Sequence, residues 1–213
     1  MRWMPTLGVQ LRSTEALVQA HVLPDARGLN VGSKRVRFGP GWTNLDVSAG
    51  PEVDVVGDAH HLPFPAGSFD AVVLSAILQY CRNPFRVVDE VARVLRPRGV
   101  VIVNAPFLQP CCPEPGCVDR FRFTQEGLVG MFEDRFDISE AGTTLATGSA
   151  LAMELRSVAA SITRNTALSA ALELAVAWLA WPLSRWTGHH ACDTAGALFL
   201  VARRRPDDRP EGV

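Results

Sequence analysis

The sequence VDVVGDAHHLPFPAGSFDAVVLSAILQY, at residues 53–80, carries the clearest strand pattern of the chain. It contains two apolar runs, at residues 53–56 and 71–74, and polar residues follow them at Asp58 and Ser75. Neither run alternates apolar with polar residues, which is typical of strands in a parallel sheet that is covered on both faces. The stretch therefore predicts two buried parallel strands whose carboxyl ends carry polar side chains.

The same pattern recurs on both sides of this stretch. Further strands are predicted at residues 29–31, 43–47, 100–103, 136–139 and 196–203. Helices are predicted at residues 13–23, 83–95 and 124–132, and over an apolar tract at 149–186. This order predicts an α/β protein with a doubly wound, mostly parallel, seven-stranded Rossmann-like sheet. Helices would cover both faces, and an apolar helical insertion would precede the last strand.

The 213 residues are expected to divide into five segments. These are an N-terminal helical segment at 1–24, the core at 25–140, an apolar helical cap at 141–195, the final core strand at 196–203 and a flexible tail at 204–213. A chain of this length forms one domain with a full core, and the cap is the part of it that lies outside the sheet.

Composition narrows the class of protein. The chain is 47% apolar and 20% charged, as in ordinary globular proteins, and its net charge of −1 argues against nucleic acid as a partner. The N-terminus lacks the continuous apolar core of a signal peptide. The five cysteines are therefore expected to be reduced thiols in a cytoplasmic protein, with association to a membrane surface left open.

Two carboxylates at successive strand ends indicate a nucleoside site. At the end of the second strand, Asp46 could accept hydrogen bonds from the vicinal hydroxyls of a ribose, or it could cap a turn with Ser48. After the third strand, Asp58 could accept from an adenine amine while Ala59 and Leu62 pack on the ring, or it could be an ordinary turn residue. Ligands of doubly wound sheets bind at these carboxyl ends, so we favour the site.

Four segments carry a specific resemblance. PGWTNLDV, the stretch at 53–80, EVARVLRPRGVVIVNAPF and DRFRFTQEGL resemble successive motifs of class I S-adenosylmethionine-dependent methyltransferases. The closest likeness is to a small bacterial type 11-like branch in which the first helix is abridged. The resemblance implies that fold and S-adenosylmethionine as cofactor. The cofactor-binding residues it implies are Asn30, Gly32, Ser33, Asp46, Asp58, Ala59, Ser75 and Gln79.

The short loop after the first strand fits this cofactor. A dinucleotide site would need further glycines and a helix N-terminus to hold a pyrophosphate, and the chain has neither at Gly32 and Ser33. S-adenosylmethionine has no pyrophosphate, so the loop needs only a close approach of its backbone to the methionine and ribose portions.

The resemblance implies methyl transfer by in-line displacement to a small-molecule, sugar or lipid-linked glycan acceptor. Catalysis would then rest mainly on alignment and desolvation. A hydroxyl acceptor would also need a general base, for which His60, His61 and Asp119 are candidates. His61 could instead pack beside the adenine, and Asp119 could form a structural ion pair with Arg122. The catalytic base therefore stays open.

Other functions weigh less. A catalytically lapsed binding or scaffold protein is the alternative, because Lys34 stands in the glycine loop and Gln79 replaces an acidic residue. A nicotinamide-dependent oxidoreductase lacks support because the glycine fingerprint is absent. Zinc ligation would involve Cys111, Cys112, Cys117, His189, His190 and Cys192. Their spacing does not match paired tetrahedral ligands, so no metal is expected.

The apolar stretch at residues 166–186 has three interpretations. It could be a helix buried in the core, a cap over the acceptor pocket, or a peripheral membrane or dimer contact. Its uninterrupted apolar part is too short for a membrane span. A partly buried cap is the favoured interpretation because insertions in this fold class often cover the acceptor side.

Overall fold

A computed structural model describes residues 5–33, 36–111, 116–186 and 191–206. The strands are β1 (Gly28–Val31), β2 (Trp42–Asp46), β3 (Val55–Val56), β4 (Phe69–Ser75), β5 (Leu95–Pro106), β6 (Phe136–Leu145) and β7 (Ala197–Arg204). The helices are α1 (Thr14–His21), α2 (Pro84–Val94), α3 (Gln125–Phe132), α4 (Thr147–Ser161), α5 (Thr166–Ala180) and α6 (Ala191–Thr194). Lys34, Cys112, His189, His190 and the tail at 207–213 lie outside the described residues.

The sheet has seven strands in the order β3-β2-β1-β4-β5-β7-β6. Strands β1 to β5 are parallel, and β7 runs antiparallel to both β5 and β6. This confirms the predicted α/β fold with a mostly parallel sheet. β5 is longer than predicted because it begins directly after α2, at Leu95. The segment between Leu95 and Val100 forms a bulge, in which Arg98 has a φ of 66°.

Helices cover both faces of the sheet. Val72 and Leu74 of β4 belong to the apolar cluster that contains residues of α2 and α3. Their neighbours Ala71 and Val73 belong to the second cluster, which contains Leu17 of α1. Successive side chains of a strand point to opposite faces, so α1 lies on the face opposite to α2 and α3.

Local sequence explains the position of α2. The Asn83 side chain accepts a hydrogen bond from the Arg86 amide at 3.1 Å, and Pro84 occupies the first helical position. Asparagine at the N-cap and proline at N1 are strong start signals for a helix. The helix therefore begins where the predicted cap placed it.

The described part of the β1–β2 connection contains no helix, as expected from the short loop. The side-chain amides of Asn30 and Asn44 donate to the Val36 carbonyl at 2.8 and 3.1 Å. Arg37 donates to a carboxylate oxygen of Asp54 at 2.8 Å. The two amide bonds satisfy the Val36 carbonyl, a backbone group that a crossover helix would have satisfied internally, and the Arg37–Asp54 bond joins the loop to the start of β3.

The insertion between β6 and β7 differs from the predicted tract at 149–186. It divides into α4 and α5, because Asn165 caps a new helix by accepting from the amides of Ala167 and Leu168. Of the three interpretations, a helix buried in the core is wrong: Ala177 and Ala180 are the buried residues of α5, and Trp178 is 53% exposed. Among the described residues, no helix combines the length and apolar character needed to cross a bilayer.

Candidate functional site

A cavity of about 260 Å³ lies at the carboxyl ends of β1 and β4 and is called the β1 cavity below. Its lining residues are Thr14, Glu15, Asn30, Gly32, Ser33, Val36, Phe38 and Ser75. The structure thus brings together four of the predicted cofactor residues, from two neighbouring strand ends. The sequence did not predict Thr14 and Glu15 of α1 as site residues, because only the packing of α1 beside β4 brings them to the cavity. Thr14 Oγ1 lies 3.5 Å from Ser75 Oγ.

Glycine is required at position 32. Its φ is +74°, in the left-handed region, and its amide donates to the Leu45 carbonyl at 2.8 Å. A Cβ atom built there would overlap Cγ2 of Ile77. The tight turn after β1 therefore depends on a residue without a side chain.

Four buried side-chain polar atoms of the described residues have no hydrogen-bond partner, and two of these are Gln125 Oε1 and Thr143 Oγ1. The other two follow the ends of β1 and β4: Ser33 Oγ, in a residue only 3% exposed, and Gln79 Oε1, in the 3-10 turn after β4. Gln79 Nε2 is satisfied, since it donates to the Ala76 carbonyl at 2.7 Å. An unsatisfied buried polar group costs about 1–3 kcal/mol, so a ligand that bonded to these atoms would recover that free energy.

Asn30 is buried and holds the loop as well as lining the cavity. Its side-chain amide donates to Val36 O and, at 3.3 Å, to the side-chain oxygen of Asn44. The register of β1 and β2 pairs Asn30 directly with Asn44, which was not predicted as a site residue. In the sequence, Asn44 could have been noticed as a polar residue within an apolar run.

Asp46 ends β2 and is 5% exposed. One carboxylate oxygen accepts from the Ser48 amide at 3.0 Å, so the turn interpretation describes a real contact. The backbone carbonyl of Asp46 accepts from Gly57, the residue before Asp58, at 2.9 Å. The two predicted nucleoside carboxylates thus follow neighbouring strands.

Asp58 is exposed and bonds to His60. Its Oδ1 accepts from the His60 amide at 2.9 Å and contacts His60 Nδ1 at 2.6 Å. Desolvation acts to raise the pKa of Asp58, but these hydrogen bonds outweigh it and leave the pKa below its ordinary value. His60 Nε2 accepts from the Asn83 amide at 3.2 Å, which places the ring proton on Nδ1. His60 therefore links this loop to the start of α2, whereas His61 is exposed.

A buried carboxylate on α2 fixes the predicted adenine loop. Glu90 Oε2 accepts from the Leu62 amide and from Arg93, both at 2.8 Å. The hydrogen bonds from Arg93 lower the pKa of Glu90 below its ordinary value, against the effect of desolvation. Arg93 in turn donates to the carbonyls of Leu62 and Phe64. Leu62 itself is buried in the core, while Ala59 is partly buried against it.

A second cavity, of about 350 Å³, lies beyond the carboxyl end of β5 and is called the β5 cavity. Its lining residues are Phe107, Leu108, Gln109, Cys111, Asp119, Arg120, Phe121, Arg122 and Glu154. The carbonyl of Gln79 accepts from the Arg120 amide at 2.7 Å, which joins this wall to the turn after β4. Glu154 comes from α4, so the insertion forms part of the cavity.

The base candidate Asp119 forms an ion pair with Arg122. Arg122 Nη2 donates to Asp119 Oδ2 at 2.8 Å, and this contact raises the pKa of the guanidinium above its ordinary value. The side chain of Asp119 is only 8% exposed. Among the described residues, no cluster of His, Cys, Asp and Glu side chains could hold a metal ion.

Comparison with known proteins finds similarity to methyltransferases over part of the chain. A family model described as a methyltransferase domain matches residues 39–103. A demethylmenaquinone methyltransferase of Paenarthrobacter aurescens is 34% identical over 77 residues, 36% of this chain and 30% of that protein. The matched segment thus spans less than a third of this curated relative.

Solved structures show the same fold over most of the chain. The [4+2]-cyclase SpnF is 21% identical with a TM-score of 0.57, covering 90% of this chain and 80% of that one. A Burkholderia thailandensis 1,6-didemethyltoxoflavin-N1-methyltransferase, solved with 1,6-didemethyltoxoflavin and S-adenosylhomocysteine, is 14% identical. Its TM-score is 0.56, with 90% of this chain and 76% of that one covered. The chain therefore has the class I S-adenosylmethionine-dependent methyltransferase fold, and its residues 39–103 are similar to a methyltransferase domain.

Proposed function

We propose that this protein is an S-adenosylmethionine-dependent methyltransferase whose cofactor binds at the β1 cavity and the adjoining strand ends. The observation that carries the proposal is the pair of buried, unpartnered atoms Ser33 Oγ and Gln79 Oε1, which lie where this fold binds ligands. A cofactor with an ammonium, a carboxylate and ribose hydroxyls would supply hydrogen-bond partners for both atoms. The residues present therefore fit the cofactor.

Each strand end has a role in this proposal. Gly32 lets the backbone approach the methionine portion, and Asp46 accepts from the ribose hydroxyls alongside its bond to Ser48. A carboxylate has about four acceptor positions, so both contacts are compatible. Asp58 and Ala59 meet the adenine, on a loop whose position Glu90 fixes.

The β5 cavity would hold the methyl acceptor. When bound, the cofactor supplies a methyl group already activated by its sulfonium, so the protein contributes alignment and exclusion of water. Phe107 and Phe121 provide apolar surface for an acceptor ring or chain. A hydroxyl acceptor must lose a proton, and Glu154 is a lining carboxylate without an ionic partner among the described residues.

The acceptor class that we propose is a small molecule, a sugar or a lipid-linked glycan. The cavity volume suits one ring system with substituents, and its lining mixes aromatic and charged side chains. The relatives named for demethylmenaquinone and for 1,6-didemethyltoxoflavin also carry names of small-molecule methyltransferases.

Calorimetric titration with S-adenosylmethionine, S-adenosylhomocysteine and NAD tests the proposal. Micromolar binding of the first two, without binding of NAD, would support it. NAD binding in their place would indicate an oxidoreductase.

A catalytically lapsed binding or scaffold protein is the second candidate. The observation that favours it is the engagement of the predicted bases: Asp119 is paired with Arg122, and His60 is held between Asp58 and Asn83. This candidate predicts that no acceptor in a methylation screen consumes S-adenosylmethionine, even if S-adenosylhomocysteine binds.

A further inference from the structure

The exposed half of α5 is entirely apolar. Apart from Thr166, the first residue, the solvent-exposed positions of this helix occupy one continuous half of its circumference. They are Ala167, Leu168, Ala170, Ala171, Leu174, Ala175, Trp178 and Leu179, here called the α5 apolar face. Trp178 is 53% exposed and Leu179 is 81% exposed. A helix on a protein surface normally presents charged and polar residues to water, so this face calls for a covering partner.

The charges around α5 indicate the nature of that partner. The acid within the helix, Glu173, turns inward and lies 3.9 Å from Arg156 of α4. The charged residues next to the two ends of α5 are both cations: Arg164 before its N-cap and Arg185 in the 3-10 turn after it. Neither has an acidic partner in the part of the chain that the structure describes, and Arg185 lies 4.2 Å above the ring of Trp181.

We propose that the α5 apolar face docks on an anionic lipid surface. The exposed leucines and Trp178 would enter the boundary between headgroups and acyl chains, and Arg164 and Arg185 would contact anionic headgroups at both ends. An isolated interfacial helix needs a polar face of its own. Here α4 packs against the other side of α5, so the side of α5 that faces away from the lipid is packed against protein. Because α5 is too short to cross a bilayer, it lies on the surface.

The inference does not depend on the methyl acceptor. The helix α4, which packs against α5, also contributes Glu154 to the β5 cavity.

Flotation of the purified full-length protein with vesicles tests the proposal. One vesicle set contains phosphatidylglycerol mixed with phosphatidylcholine, and the other contains phosphatidylcholine alone. We expect binding to the anionic vesicles that weakens as salt rises, because exposed charges are screened. Leu179→Ser should lower the partition coefficient about tenfold. Arg164→Ala should lower it about fivefold on anionic vesicles alone.

Leu23→Ser is the matched control. Leu23 is also an exposed leucine, at 74%, but it lies just before the start of β1, at the opposite end of the sheet from the insertion that follows β6, so its replacement should leave binding unchanged. An equal loss with Leu23→Ser and Leu179→Ser, or no binding to either vesicle set, would overturn the proposal. A dimer that Leu179→Ser converts to a monomer, without vesicle binding, would instead make the face a contact between two copies. Each variant is also titrated with S-adenosylhomocysteine. This titration tests the proposed cofactor site by itself, so a failure of the lipid proposal can be told from a failure of the proposed function.

Discussion

Replacing Glu90 by glutamine tests whether a buried carboxylate holds the adenine loop to α2. The side chain is 7% exposed and accepts from the Leu62 amide and twice from Arg93, at distances of 2.8 to 3.0 Å. Glutamine keeps one acceptor oxygen but turns an amide toward the guanidinium. Breaking a buried ion pair costs about 3–5 kcal/mol. Arg93 is 37% exposed and keeps its bonds to two carbonyls, so we expect a loss of about 2–3 kcal/mol in the free energy of unfolding.

Urea denaturation measures this loss, and Asp89→Asn is the matched control. Asp89 precedes Glu90 on α2 and pairs with Arg135 at 3.3 Å, but both side chains are well exposed, at 45% and 62%. Such surface pairs contribute less than about 1 kcal/mol. If Glu90→Gln costs no more than Asp89→Asn, the network does not hold the loop.

The same carboxylate predicts a pH dependence. The folded protein lowers the pKa of Glu90 from its ordinary value of 4.5, so its stabilising contribution is complete above that value. The contribution is lost as the pH falls through the lowered pKa. Unfolding free energies measured from neutral to acidic pH should therefore fall less steeply for Glu90→Gln than for the wild type.

Three further predictions concern the site and the cysteines. Asp46→Ala should weaken S-adenosylhomocysteine binding about ten- to a hundredfold in calorimetry, and Asp58→Asn should weaken it less; wild-type affinity in a folded Asp46→Ala would refute the ribose contact. Gly32→Ala should lower the melting temperature and cofactor affinity together, because the left-handed backbone and Ile77 leave no room for a Cβ; an unchanged protein would refute the tight turn. Burial raises the pKa of Cys81 to about 12, so at mild alkaline pH iodoacetamide should label exposed Cys111 first, and mass spectrometry showing Cys81 labelled equally fast would contradict the packing.

The elements fixed by local patterns were predictable from the sequence. The start of α2 follows from Asn83 and Pro84, and the parallel strands follow from continuous apolar runs such as the one in β4. The order of the strands in the sheet was not predicted, since periodicity cannot tell which strands pair.

Features that depend on distant contacts were not predictable. Glu90 stands among the apolar residues of α2, and only the approach of Arg93 and the Leu62 amide explains its burial. The joining of α1 to the β1 cavity likewise depends on packing across the sheet. The exposure of Trp178 could not be predicted, because apolar sequence alone does not distinguish a core helix from an unpartnered one.

Binding of S-adenosylhomocysteine to the wild type and to Ser33→Ala tests the central claim most directly. Ser33 Oγ is buried without a partner among the described residues, so without ligand Ser33→Ala should leave stability unchanged or raise it by about 1 kcal/mol. The variant should bind S-adenosylhomocysteine about five- to tenfold more weakly than the wild type, for which we expect a micromolar dissociation constant. Ser68→Ala, which removes an exposed hydroxyl bonded to the Pro65 carbonyl, should bind as the wild type does. Absence of binding to the wild type up to millimolar S-adenosylhomocysteine, or equal affinity of Ser33→Ala and the wild type, would contradict a cofactor site at the β1 cavity.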